Sequence, residues 1–111
     1  MTYVELRKST QHFAASLREA RNRSITGAQV AEIIFDAEQQ FLRVRGEGVV
    51  FEWPDDVDVR LEGTDEYVQQ QAWSILFYPD GSATDAAFTV SALERSYRIT
   101  VDWLTGRVKV A

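Results

Sequence analysis

The chain has 111 residues, enough for one hydrophobic core but not two, so a single fold must account for all of it. An apolar fraction of 45%, with six Phe, four Tyr and three Trp, excludes a disordered chain, and a net charge of -5 argues against general affinity for nucleic acid or anionic lipid. The absence of cysteine excludes disulfides and thiolate metal sites, and a single histidine leaves zinc or copper short of ligands.

From Tyr3, the positions Tyr3, Leu6, Thr10, Phe13, Leu17, Ala20 and Ser24 step by three and four, which predicts one amphipathic helix over residues 1–26 with its stop at Gly27. The stripe is thin, with few large apolar groups and two hydroxyls, so the helix must dock on another element to be stable. No run reaches the roughly 18 apolar residues of a membrane-spanning helix, and the N-terminus lacks a signal-peptide layout, so the chain as it stands reads as soluble.

Beyond Gly27 the period changes to two. Strands are predicted near Gln29–Asp36, Gln40–Arg45, Val49–Trp53, Val57–Leu61, Trp73–Tyr78, Ala87–Ala92, Ser96–Asp102 and Arg107–Val110. Turn chemistry separates them at Gly46 and Gly48, Pro54–Asp56, Gly63–Asp65, Pro79-Asp80-Gly81 and Thr105-Gly106. The polar stretch Glu62–Gln71 reads as the mobile loop. The fold class is therefore α+β: an N-terminal amphipathic helix on an antiparallel β-sandwich of about eight short strands, one domain over residues 1–111 with the β-part at 28–111.

Charge is distributed unevenly. Residues 1–27 carry Arg7, Lys8, Arg18, Arg21 and Arg23 against Glu5 and Glu19, a sum of +3, while residues 28–111 sum to -8. Most of the acid lies at 47–66, where Arg60 alone opposes Glu47, Glu52, Asp55, Asp56, Asp58, Glu62, Asp65 and Glu66.

Catalytic constellations are lacking. His12 has no acid beside it and reads as a helix-surface residue, not the base of a nucleophile. The run Asp55-Asp56-Val57-Asp58 has carboxylates for a hard cation but lacks the alternation, glycine and distal Glu of a calcium loop, so a solvated or partner-facing turn is the better reading. No spacing singles out a glycosidase carboxylate pair, and Asp80-Gly81 belongs to a turn, not a phosphate cradle. Trp53, Trp73, Phe77, Tyr78, Phe88, Tyr97 and Trp103 fit core and sheet-face packing better than a base-stacking platform. A ligand pocket lined by Trp53, Trp73 and Trp103 is a lesser alternative. The residues call for no catalytic group, metal or cofactor.

Three segments carry a family resemblance. Leu17-Arg18-Glu19-Ala20-Arg21-Asn22-Arg23-Ser24-Ile25 resembles the helix end of the GspH/FimT group of minor pseudopilins and pilins. Ile75-Leu76-Phe77-Tyr78-Pro79-Asp80-Gly81-Ser82-Ala83 resembles its apolar strand and Pro-x-Gly turn, and Tyr97–Asp102 through Thr105-Gly106-Arg107-Val108-Lys109-Val110 its closing hairpin. The resemblance implies a pilin-like, non-catalytic subunit of the type II secretion pseudopilus, near its tip. Its implied partners are other minor and major pseudopilins and, indirectly, the inner-membrane platform and the secretin. It also implies a leader and an apolar anchoring helix ahead of Met1, an inner-membrane anchor and a periplasmic domain. Glu5 is not the family's leader-adjacent acid. On this reading, Arg18, Arg21 and Arg23 on the helix and Asp55, Asp56 and Asp58 on the acidic turn are the expected subunit-interaction residues, basic surface against acidic surface. The alternative is a type IV minor pilin in pilus assembly or DNA uptake, because Gly106-Arg107-Val108-Lys109 is one conservative change from the group's basic Gly-Arg-x-Arg element. That would make Arg107 and Lys109 the DNA contacts, against which the net charge weighs.

Overall fold

A computed structural model describes residues 1–62 and 72–111, and these hold one helix and eight strands within a few residues of the predicted bounds. All but the first residue of the stretch read as a mobile loop, Glu62–Gln71, lies outside the described residues.

Helix α1 (Tyr3–Gly27) opens on Thr2, whose hydroxyl oxygen accepts the Glu5 amide at 3.1 Å and so satisfies one of the donors a helix start leaves free. It buries Leu6, Thr10, Phe13, Ala14, Leu17, Ala20 and Ser24. Two details depart from the predicted stripe. Tyr3 is 51% exposed, with the Arg95 guanidinium 4.0 Å over its ring, and Ala14 takes a place in the core. Both hydroxyls are satisfied: Thr10 donates to the Leu6 carbonyl and Ser24 to the Phe77 carbonyl, each at 2.8 Å. The helix ends at the predicted Gly27, and the left-handed cap falls on the next residue. Gly27 remains helical, and Ala28 takes the left-handed φ of 52° that glycine would supply more cheaply, its amide and that of Gln29 both donating to the Ser24 carbonyl.

The first sheet runs in the order β3 (Gly48–Glu52), β2 (Phe41–Val44), β1 (Ala31–Asp36), β5 (Ala72–Phe77). The second runs β4 (Asp58–Leu61), β6 (Ala86–Ala92), β7 (Arg95–Val101), β8 (Val108–Val110), and every pairing is antiparallel. The helix touches both sheets, lying between β3 on one flank and β8 on the other. Phe13 is the hub of the core. Its ring meets Phe35 and Phe51 of the first sheet at 6.5 and 5.6 Å, Trp53 at 5.2 Å and Phe88 of the second sheet at 5.0 Å. Most of these contacts are edge-to-face, the arrangement aromatic quadrupoles prefer. Full burial of Leu6, Phe13 and Leu17 contributes about 1.5–3 kcal/mol each, which docks a helix too thin to stand alone.

Trp53 is buried, whereas Trp103 is 60% exposed in the turn after β7, not within a strand. Trp73 is half-buried on β5, so the three tryptophans differ in both burial and element.

Candidate assembly surface

The side chains singled out on the helix are engaged within the chain. In the antiparallel pairing of β7 with β8, the Asp102–Arg107 and Arg98–Ala111 hydrogen bonds leave the Val108 carbonyl facing the open edge of the sheet. Arg18 reaches across from the helix and donates to that carbonyl from Nε at 3.3 Å and Nη2 at 2.9 Å. One turn on, Arg21 Nε donates to the Thr105 carbonyl at 3.1 Å. Its guanidinium fills the space left by two glycines: a β-carbon on Gly106 would lie 2.9 Å from Arg21 Nε, and one on Gly81 would lie 3.4 Å from Nη2. Arg23 projects to the other flank, pairing with Glu19 and with Glu47 in the turn before β3.

The acidic turn lies at the other end of the helix. Asp56 is 3.5 Å from the Met1 ammonium and Asp58 is 2.9 Å from Arg60 Nε, while Val57 between them is buried. From Tyr3 to Arg21 the helix rises roughly 27 Å at 1.5 Å per residue, so one subunit carries its basic and acidic surfaces at opposite ends. Among the described residues no group of His, Cys, Asp or Glu is placed to hold a metal ion. His12 lies exposed, its ring edge-on to Phe51 at 5.1 Å.

Arg107 and Lys109, read separately as the DNA-binding alternative, stand beside Arg18 and Arg21. These four line one hollow of about 410 Å³ between α1 and β8, together with Asn22 and Val108. The Asp102 carboxylate accepts the amides of Leu104 and Thr105 at 2.8 and 3.0 Å, and the Thr105 and Leu104 bonds hold it below the usual carboxylate range. That closes the turn which puts Trp103 and Leu104, 60% and 64% exposed, on the outside. The three resembling segments therefore meet in space: Arg18 and Arg21 from the first, Gly81 from the second, and Thr105, Gly106 and Val108 from the third.

The model of the type II transport protein GspH family matches residues 9–106. The chain belongs to the GspH family. A curated relative, the type II secretion system protein H of Xanthomonas campestris pv. campestris, is 26% identical over 107 residues, covering 96% of this chain and 63% of the relative. The chain thus spans under two thirds of that relative's length. Among solved structures, the minor pseudopilin EpsH from the type 2 secretion system of Vibrio cholerae superposes with a TM-score of 0.70 at 14% identity, covering 96% of each chain. The type IV minor pilin FimU of Pseudomonas aeruginosa gives 0.68 at 14% identity, over 96% of this chain and 88% of that one. These two likenesses establish the pilin-like fold of this GspH-family chain: one N-terminal helix on two antiparallel sheets.

The internal roles of Arg18 and Arg21 were not visible in the sequence, because their partners lie 90 and 84 residues away and are backbone carbonyls, which leave no residue signature. The one available signal was the joint presence of the basic helix end and the two glycine turns.

Proposed function

We propose that the chain is the globular domain of a minor pseudopilin of the type II secretion system, a non-catalytic subunit near the tip of the periplasmic pseudopilus that helps move folded proteins through the outer-membrane secretin. The family match over residues 9–106 carries this reading. The surface supports it. The helix keeps the face opposite its buried stripe, with Val4, Lys8, Gln11, Ala15 and Asn22, open to neighbours, and basic and acidic ends on one subunit suit head-to-tail contact, which builds filaments and not closed rings. No helix of the described residues is long and apolar enough to cross a membrane. The inner-membrane anchor belongs, on this proposal, to a segment ahead of this domain, with major and other minor pseudopilins as direct partners and the platform and secretin as indirect ones.

Deleting the gene is expected to leave normally exported enzymes folded but trapped in the periplasm, with pili intact. Retained secretion with loss of pili would favour the second reading, a type IV minor pilin, for which the likeness to FimU and the exposed Arg107 and Lys109 speak. Within the first reading, Asp55→Asn, Asp56→Asn and Asp58→Asn together are expected to weaken binding to purified pseudopilins. Unchanged affinity would remove the acidic turn from the interface.

A further inference from the structure

Four of the twelve cationic side chains, Arg23, Arg45, Arg60 and Arg98, are in ion pairs. Of the other eight, which have no carboxylate within 4 Å among the described residues, five line a single seam: Arg7, Arg18, Arg21, Arg107 and Lys109. The seam is continuous. The hollow of about 410 Å³ at Arg21 and Arg107 and a second of about 580 Å³ at Arg7, Gln11 and Tyr97 share Arg18 as their common wall. Arg7, Arg18 and Arg21 bring positive charge to the groove with no carboxylate within 4 Å among the described residues, while Arg107 and Lys109 also border the carboxylates of Glu62, Asp85 and Asp102, so the positive potential is concentrated on the helix side of the groove.

Resting on the pseudopilin reading, we infer that this groove between α1 and β8 receives an extended acidic segment of a neighbouring protein subunit. The bonds from Arg18 and Arg21 to carbonyls fix those side chains without cancelling their charge, so little side-chain freedom is lost when a carboxylate arrives. From Arg7 to Arg21 the groove runs roughly 21 Å along the helix, the span of about six or seven extended residues. Its flanks favour a short peptide over a nucleic acid. Asp102, Asp85 and Glu62 line the neighbouring hollow together with Arg107 and Lys109, so the long continuous charge of a duplex would meet them, whereas a short peptide can end on the helix side at Arg7, Arg18 and Arg21.

The test uses fluorescence anisotropy with labelled octaglutamate, octaglutamine and a 12-base-pair DNA duplex. Variants are Arg107→Gln/Lys109→Gln in the groove and Arg43→Gln/Arg60→Gln outside it, equal in net charge and each checked for an unchanged urea midpoint. Octaglutamate should bind more tightly than octaglutamine. The groove variant should weaken it about tenfold and the outside variant less than about twofold. Equal binding of the two peptides, or equal loss in the two variants, overturns the inference. So does a duplex bound more tightly than octaglutamate and lost in the groove variant, which would assign the groove to nucleic acid. Failure here leaves the pseudopilin reading standing if deletion of the gene still blocks secretion; if deletion does not, that reading itself has failed.

Discussion

A β-carbon on Gly106 would lie 2.1 Å from the Gly81 carbonyl oxygen and 2.9 Å from Arg21 Nε, and the backbone there has a φ of +69°. Two penalties therefore fall on one position, a left-handed conformation and a collision with backbone that cannot step aside. Gly46 separates them. Its φ is +87°, yet a β-carbon there would have nothing within 4 Å, so only the conformational penalty remains. We expect Gly46→Ala to cost about 1 kcal/mol and Gly106→Ala at least about 3 kcal/mol in urea unfolding, the excess reflecting the overpacked contact with the Gly81 turn. Equal costs would show that the turns at Gly81 and Gly106 can part without loss. The tight approach also sets the position of Arg21, whose guanidinium covers both glycines.

The second sheet ends in two short edge strands, and each has its open edge closed by one long side chain. On β8 the closure is Arg18, on the Val108 carbonyl. On β4 it is Gln40, whose Nε2 donates to the Val57 carbonyl at 2.6 Å and whose Oε1 accepts the Val59 amide at 2.7 Å, acting as a peptide group would. Gln40 stands beside β2, so it also ties the first sheet to the second. Gln40→Ala removes two part-buried hydrogen bonds at about 1 kcal/mol each and leaves an edge free to pair with other chains. A loss of about 2 kcal/mol in urea unfolding, with more aggregation on refolding, is the expected result; a change below about 0.5 kcal/mol would mean that water replaces the amide fully. These closures mark the limit of what the sequence discloses. Eight strands and a helix were legible because the period changes from 3.6 to two after Gly27 and turn residues fall between the strands. The helix ends at Gly27 as predicted, with Ala28 in the left-handed cap position, whereas Tyr3 leaves the predicted stripe and lies half exposed beneath Arg95, a neighbour that only folding supplies. Pairings such as β1 with β5 and β4 with β6, and the carbonyl contacts of Arg18, Arg21 and Gln40, depend on strands brought together only by folding. Of the predicted interaction residues, sequence reading separated Arg18 and Arg21 from Arg107 and Lys109; folding places the four around one hollow.

At the scale of the molecule, the basic seam begins at Arg7, near the helix end that meets the turn at Asp55–Asp58, and only its far end at Arg18 and Arg21 lies beyond the Debye length of about 8 Å at physiological salt. Within one subunit the Arg18 and Arg21 end of the seam and the acidic turn barely interact and so add little to folding; the proposed head-to-tail packing would bring them together between subunits. Stability and assembly should then respond differently to salt. The pairs inside the chain, such as Arg45 with Glu32 and Arg98 with Glu62, are exposed and contribute little, so the urea midpoint should be nearly flat between 0.05 and 0.5 M salt, changes of about 0.5 kcal/mol being the most expected. Over the same range, affinity for a purified pseudopilin partner should fall about tenfold, mainly through slower association, because complementary charge steers encounter. Measuring both quantities on one preparation separates the two roles. A salt-independent affinity would put the apolar groups, Trp103 and Leu104 foremost, at the centre of the interface and reduce the charged ends to solubility.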